Sequence, residues 1–364
     1  MKYLDEFHNP KLAQVLVKKV QDLLEREFSL MEVCGTHAVG IFRYGIRDLF
    51  PEALRLLAGP GCPVCVTPAE EIDAAILLSR EPGVILTTFG DMIKVPGSQS
   101  SLEMARVDGA DVRVVYSALD ALKIAETNPL KKVVFFGVGF ETTSPSIASV
   151  ISTAKGREIK NLWIYSCHKL IPPAMRGLLE MGEVKIEGFI CPGHVSTIIG
   201  SLPYEFISKD FGVPCVISGF EPLDILQSIY MLIRQIQEGR AEVEIQYRRS
   251  VKPEGNKKAL SKLYEIFTIA DSKWRGIGLV PHSGLKIKDD YRDFDARTSF
   301  SIAWPEVSKE RAGCICGQIL RGISIPHDCP LFGRRCSPED PAGPCMVSSE
   351  GACAAYYKYA KWKA

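Results

Sequence analysis

Leu54-Arg55-Leu56-Leu57-Ala58-Gly59-Pro60-Gly61-Cys62-Pro63-Val64-Cys65-Val66-Thr67-Pro68-Ala69-Glu70 is an apolar run that breaks into a glycine-proline turn bearing two cysteines and then opens a helix. Residues 54–58 read as a buried strand. Thr67-Pro68-Ala69-Glu70 offers a capping threonine, a proline in the first turn and a glutamate for a capping box. The same pattern recurs in both directions along the chain. Short apolar, β-branched runs fall at 30–33, 84–88, 112–116, 133–138, 162–165, 188–190 and 213–217, with helical stretches between them. Alternating strand and helix predicts an α/β fold with parallel sheets.

The eight predicted strands suit two similar α/β units, divided near residue 120 into 30–120 and 121–240. A helix over 222–238, closed by Gly239, ends the second unit. An amphipathic helix occupies 1–29, with Leu12, Val15, Leu16, Val20, Leu23 and Leu24 at helical spacing. After the polar connector Lys252-Pro253-Glu254-Gly255-Asn256-Lys257-Lys258, a smaller mixed, cysteine-rich domain is predicted within 241–364.

Forty-four basic residues balance 43 acidic ones for a net charge of +1, which argues against bulk electrostatic binding to nucleic acid. The apolar runs are far shorter than the roughly 20 residues that span a bilayer, so no membrane partner is expected. Met1-Lys2-Tyr3-Leu4-Asp5-Glu6 carries acids where an export signal would carry bases, and a cytoplasmic location follows. In that compartment most thiols stay reduced, so the twelve cysteines point to metal binding or redox chemistry rather than to a disulfide framework.

Nearly every predicted strand runs into a motif of Gly, Cys, His, Asp or Glu, and in open parallel sheets that edge is where ligands bind. Cys62-Pro63-Val64-Cys65 sits where strand passes to helix, a place that favours the thiolate for either disulfide exchange or metal binding. Cys34-Gly35-Thr36-His37 suits a soft metal or a Cys/His nucleophile pair, with simple packing as the plain alternative. Asp91, Glu141, His168 and His194 are candidates for proton transfer or support, or else caps and loop hydrogen bonds. For Glu141 the plain alternative is a cap on the helix that follows it. Gly137-Val138-Gly139 lacks the remaining features of a dinucleotide loop. Cys167, Cys191 and Cys215 are left to packing. Six cysteines, Cys314, Cys316, Cys329, Cys336, Cys345 and Cys353, crowd the C-terminal segment. Four of them suit an iron-sulfur cube; zinc is the rival, without its usual paired CxxC knuckles.

The motifs CGTH (34–37), GPGCPVC (59–65), GFETT (139–143), CPGHVS (191–196) and MVSSEGACAAYY (346–357) together resemble the HypD family of hydrogenase maturation proteins, over essentially the whole chain. The resemblance implies two Rossmann-like parallel-sheet domains and a third domain with a 4Fe-4S cluster. It implies a scaffold for the iron of nickel-iron hydrogenases, an iron with two cyanides and one carbon monoxide, working with a HypC-type small chaperone and a HypE-type cyanide donor. On it, Cys34 is the iron ligand, surrounded by His37, Cys62, Cys65, Asp91 and His194. By similarity to ferredoxin:thioredoxin reductase, Cys314, Cys329, Cys336 and Cys353 hold the cluster, Cys316 and Cys345 form the adjacent dithiol, and Glu350 lies beside the cluster. The N-terminal helix is expected to pack on the C-terminal domain. A stand-alone iron-sulfur thiol-disulfide oxidoreductase is the alternative.

Overall fold

The computed structural model describes residues 8–306 and 311–360. The expectation built on residues 1–6 lies outside them. The strands β1 (Phe28–Glu32) and β2 (Leu54–Ala58) open one sheet, and the chain then leaves it. Next, β3 (Val84–Thr88), β4 (Asp111–Val114), β5 (Lys132–Gly139) and β6 (Leu162–His168) form a second, wholly parallel sheet in the order β4-β3-β5-β6. The chain returns through β7 (Gly188–Pro192), β8 (Cys215–Ser218) and β9 (Val243–Ile245), completing the first sheet as β2-β1-β7-β8-β9, also parallel. The fold class is the α/β one expected, with two Rossmann-like parallel sheets.

The boundary near residue 120 is corrected. The second sheet is inserted whole between β2 and β7, so a single cut splits the inserted sheet and leaves the first in two pieces. The crossing point is the quoted stretch itself: β2 belongs to the first sheet, whereas the helix Ala69–Arg80 packs on β3 of the second. Local pattern marks strands but not which neighbour each selects. Burial explains the strand signal. In β5 every residue after Lys132 is buried, and Phe135 and Phe136 are wholly so, each contributing about 1.5–3 kcal/mol.

Two helix expectations also change. Thr67 does not cap the helix Ala69–Arg80; its hydroxyl donates to the Pro63 carbonyl at 2.8 Å and closes the short helix Pro63–Val66 instead. The N-terminal helix Pro10–Asp22, capped by Asn9, packs on the helix Pro222–Gln237 rather than on the C-terminal domain. Its apolar face, centred on Val20, joins Phe28, Leu30, Ile225 and Ile229 in one cluster. Beyond the connector, β10 (Phe267–Trp274) and β11 (Gly278–Ile287) form an antiparallel hairpin that meets the end of β6 through the Lys169–Gly284 bridge. The C-terminal segment continues as short helices and turns.

Glu141 is buried and caps a different helix from the one that follows it. Because β5 and β6 are neighbours, its Oε1 reaches across to accept the Ile171 N–H at 3.0 Å, at the start of the helix Ile171–Met181. Burial raises its pKa from 4.5 to about 8. A carboxyl whose pKa is raised on folding contributes most stability below the unfolded value and loses it as pH rises through the folded one. Glu141→Gln is therefore expected to flatten the fall in stability between pH 4.5 and 8, recovering on the order of 4 kcal/mol at the upper end at roughly 1.4 kcal/mol per pKa unit. Denaturant titrations of both proteins at pH 5 and pH 8 check this; equal losses for the two would refute it.

A cleft of thiols at the strand ends

Parallel pairing of β1 with β2 runs in register to Glu32 opposite Ala58, so the two strands finish level. The motifs that follow them meet directly. Gly35 N–H donates to the Gly61 carbonyl at 3.0 Å, and a methyl group on Gly61 would fall on the Cys34 amide. Glycine at 61 is what permits this approach. Beyond it, Cys62 is the N-cap of the helix Pro63–Val66, its Sγ accepting the Cys65 N–H at 3.2 Å, and Cys62 and Cys65 are joined as a disulfide.

These turns form one wall of a cleft of about 340 Å³. Cys34, Thr36 and Pro63 line it from the ends of β1 and β2, Thr142 and Thr143 from the end of β5, and His194 from the end of β7. Both sheets thus contribute their carboxyl edges. Glu350 closes the cleft from the C-terminal segment, its Oε1 accepting the Thr36 hydroxyl at 2.6 Å. Gly35 allows this, since a methyl there would strike the Glu350 backbone and Cβ.

The site is short of positive charge. Burial, reinforced by Glu350 and then Glu32, pushes the Cys34 thiol up to about 12. Glu32, buried beneath it, accepts the Cys34 N–H at 2.8 Å and is itself raised to about 8 by burial. His37 is not a wall of the cleft. It is wholly buried, one ring nitrogen bonded to the Gly219 carbonyl at 2.9 Å, and burial lowers it to about 4. Its ring stacks on Phe220, whose ring also stacks on the solvent-reaching His194 at 3.9 Å between centroids. Burial lowers His194 as well. Asp91 is exposed and does not line the cleft; it accepts from the Ser348 hydroxyl at 3.3 Å, two residues before Glu350. Glu32, Thr36, Thr142, Thr143 and Phe220 were not singled out as individual site residues. Thr36, Thr142 and Thr143 lie inside the CGTH and GFETT motifs, where the rule that ligands bind beyond strand ends could have found them.

A second thiol group lies behind. Cys316 is hydrogen-bonded to Cys314, Cys345 and Cys353, and its pKa is raised well above the ordinary thiol value, first through the Cys314 bond. Cys336 accepts the Ala342 N–H at 3.2 Å and feels Cys314 and Cys329 electrostatically. Gly343 faces Cys314 and Cys316 so closely that a methyl on it would lie 2.8 and 3.1 Å from their sulfurs. Six thiols at one place are a donor set that suits an iron-sulfur cluster in kind. Among the described residues, no three His, Cys, Asp or Glu side chains are already set around one point as metal ligands. The contacts join Cys316 with Cys345, the expected dithiol, but also with Cys314 and Cys353. The helix Pro344–Val347, which carries Cys345, packs on the helix Pro63–Val66, and the helix Ala352–Tyr359 packs on Gly35–Arg43.

Comparison with known proteins bears on the whole of this arrangement. The HypD family model, described as the hydrogenase formation hypA family, matches residues 11–360. The chain belongs to the HypD family. It is 48% identical to hydrogenase maturation factor HypD2 of Bradyrhizobium diazoefficiens over 100% of this chain and 98% of that protein. It is 49% identical to hydrogenase expression/formation protein HupD of Azotobacter chroococcum, over 99% and 97%. It is 44% identical to hydrogenase maturation factor HypD of Escherichia coli, over 99% and 98%. Hydrogenase maturation is accordingly the process this HypD family member serves. No helix among the described residues is long and apolar enough to cross a membrane.

Gly61→Ala is expected to force the two turns apart, costing about 1–3 kcal/mol of stability as overpacking does. It should also raise the rate at which Cys34, now 7% exposed, is alkylated. Gly156→Ala, at the end of the helix Ser144–Gly156 where a methyl meets nothing within 4 Å, is the control expected to leave the Cys34 rate unchanged and not to destabilise. Thermal melts with peptide-resolved alkylation measure both; a Cys34 rate unchanged in G61A would refute the coupling.

Proposed function

We propose that this chain is the scaffold on which the iron of a nickel-iron hydrogenase acquires two cyanides and one carbon monoxide. A HypC-type small chaperone shares that iron at Cys34, and a HypE-type protein donates cyanide; no nucleic acid or membrane takes part, and the work is cytoplasmic. The observation that supports this reading best is the meeting of Cys34, Glu350 and the CPVC turn in a single cleft. Iron is the substrate here. The Cys34 thiol is protonated at rest, so taking up a soft cation must release its proton. Glu350, held by Thr36 on the turn from Cys34, is the carboxylate positioned to receive it. His37 supports the site from behind by fixing Phe220, and Asp91 supports it through Ser348.

Cys314, Cys329, Cys336 and Cys353 would hold a 4Fe-4S cluster, which when bound supplies electrons one at a time. Cys316 and Cys345, in contact with each other, serve as the dithiol beside it. The packing of the Cys345 helix on the Cys65 helix supports a thiol route from that dithiol to the Cys62–Cys65 pair. The buried disulfide also fits a stand-alone thiol-disulfide oxidoreductase, a reading that has no need of Cys34.

One variant separates the two. In Cys34→Ala, the infrared bands of iron-bound cyanide and carbon monoxide should vanish from the complex isolated anaerobically with its small chaperone. The Cys62–Cys65 pair should still be reduced and reoxidised. Bands of undiminished intensity would refute the role of Cys34 as iron ligand.

A further inference from the structure

The turn of the β10–β11 hairpin touches both thiol groups. On one side, Arg275 N–H donates to the Val66 carbonyl at 2.8 Å and Arg275 Nε donates to the Thr67 carbonyl at 2.9 Å. These are the last carbonyl of the CPVC helix and the one after it, groups that so short a helix leaves without internal partners. Arg275 is buried there. On the other side, Gly276 takes a left-handed φ of +79° and lies back to back with Gly317, where an added methyl would sit 2.8 Å from the Gly276 Cα. Gly317 directly follows Cys316 in the helix Cys316–Leu320. The turn cannot swing freely, because Trp274 stacks on Phe140 at 5.9 Å between centroids and donates to Ser283 Oγ at 2.8 Å.

We infer that Arg275 and Gly276 form a positioning element that sets the gap across which Cys316/Cys345 and Cys62/Cys65 exchange disulfide for dithiol. The inference rests on the thiol route proposed above. In the exchange, a thiolate of the Cys316/Cys345 pair attacks one sulfur of the Cys62–Cys65 disulfide, breaking that bond and forming a mixed disulfide. The second thiol of the attacking pair then displaces it. The products are a Cys316–Cys345 disulfide and two thiols at Cys62 and Cys65. Two electrons and two protons pass between the pairs, with no outside oxidant or reductant. Such displacements are sensitive to geometry, and a misplacement of about 1 Å can cost two orders of magnitude in rate.

The test uses the cluster-loaded protein with both pairs oxidised. One equivalent of dithiothreitol is added, samples are acid-quenched and alkylated at intervals, and the two cysteine-bearing peptides are quantified by mass spectrometry. Gly317→Ala is the decisive variant, since alanine favours a helix and leaves only the crowding against Gly276 to account for an effect. It should slow redistribution between the pairs at least tenfold while leaving each pair's own midpoint potential unchanged. Arg275→Gln, which loosens the opposite side of the turn, should slow it too, and decides the question should Gly317→Ala fail to fold. A folded variant that redistributes at the wild-type rate overturns the inference. A wild-type protein whose two pairs never interconvert overturns the thiol route itself, and the role of the turn with it.

Discussion

Everything around the cleft depends on the backbone of Gly61 lying against the amide of Cys34. Level strand ends bring the two turns together, and glycine lets them touch. The constraint then propagates outward through two more glycines. Gly35 admits the Glu350 backbone, which draws the C-terminal segment over the cleft, and Gly351 packs so tightly on Cys345 that a methyl there would strike its carbonyl. Cysteines separated by some three hundred residues are thereby held in one region by close main-chain approach rather than by side-chain interdigitation. Such a contact tolerates no added carbon, which ties the geometry of the thiols to residues with no chemistry of their own.

The electrostatics of that region distinguish between two uses of a Cys/His motif. A nucleophilic pair needs a thiolate beside an imidazolium, each lowering the cost of the other's charge. Here burial drives both groups toward neutrality: the Cys34 thiol rises, with two carboxyls adding to the effect, and His37 falls. His37 is moreover committed to the Gly219 carbonyl and to Phe220. A protonated thiol with carboxyls nearby does not meet that need, and among the described residues lining the cleft there is no Lys or Arg, which favours the metal-binding reading proposed for Cys34 over a nucleophilic one.

Strand positions were largely legible because the runs at 54–58 and 84–88 are mostly apolar and bounded by turn residues, and they coincide with β2, buried except at Arg55 and part of Ala58, and with the wholly buried β3. The strand-end motifs were legible for the same reason. Pairing was not. Nothing in the local pattern of β3 to β6 distinguishes a sheet inserted into another from one that follows it, and the interleaving emerges only from which strands pair. Capping was misjudged where two helices compete for one residue: Thr67 could start the helix Ala69–Arg80 or finish Pro63–Val66, and the closer carbonyl of Pro63 wins. The orientation of His37 was equally hidden, because it depends on β8 lying two strands away in space and nearly two hundred residues away in sequence.

Burial also bears on the thiol route proposed for the CPVC pair. Cys62 is 4% exposed and Cys65 not at all, and Cys316 and Cys345 are as deeply buried, so a reductant arriving from solution reaches either pair slowly. Thiol-disulfide exchange needs the attacking thiolate on the sulfur, and access sets its rate as strongly as does pKa. Pro344–Val347, carrying Cys345, packs on the CPVC helix, as does β5, and the Cys345 thiol is hydrogen-bonded to that of Cys316 in the C-terminal group. Burial therefore shields the pair from solvent while a helix that carries another cysteine packs on it. The proposed route asks for such an enclosed disulfide, packed between the turn that bears Cys34 and the helix that bears Cys345.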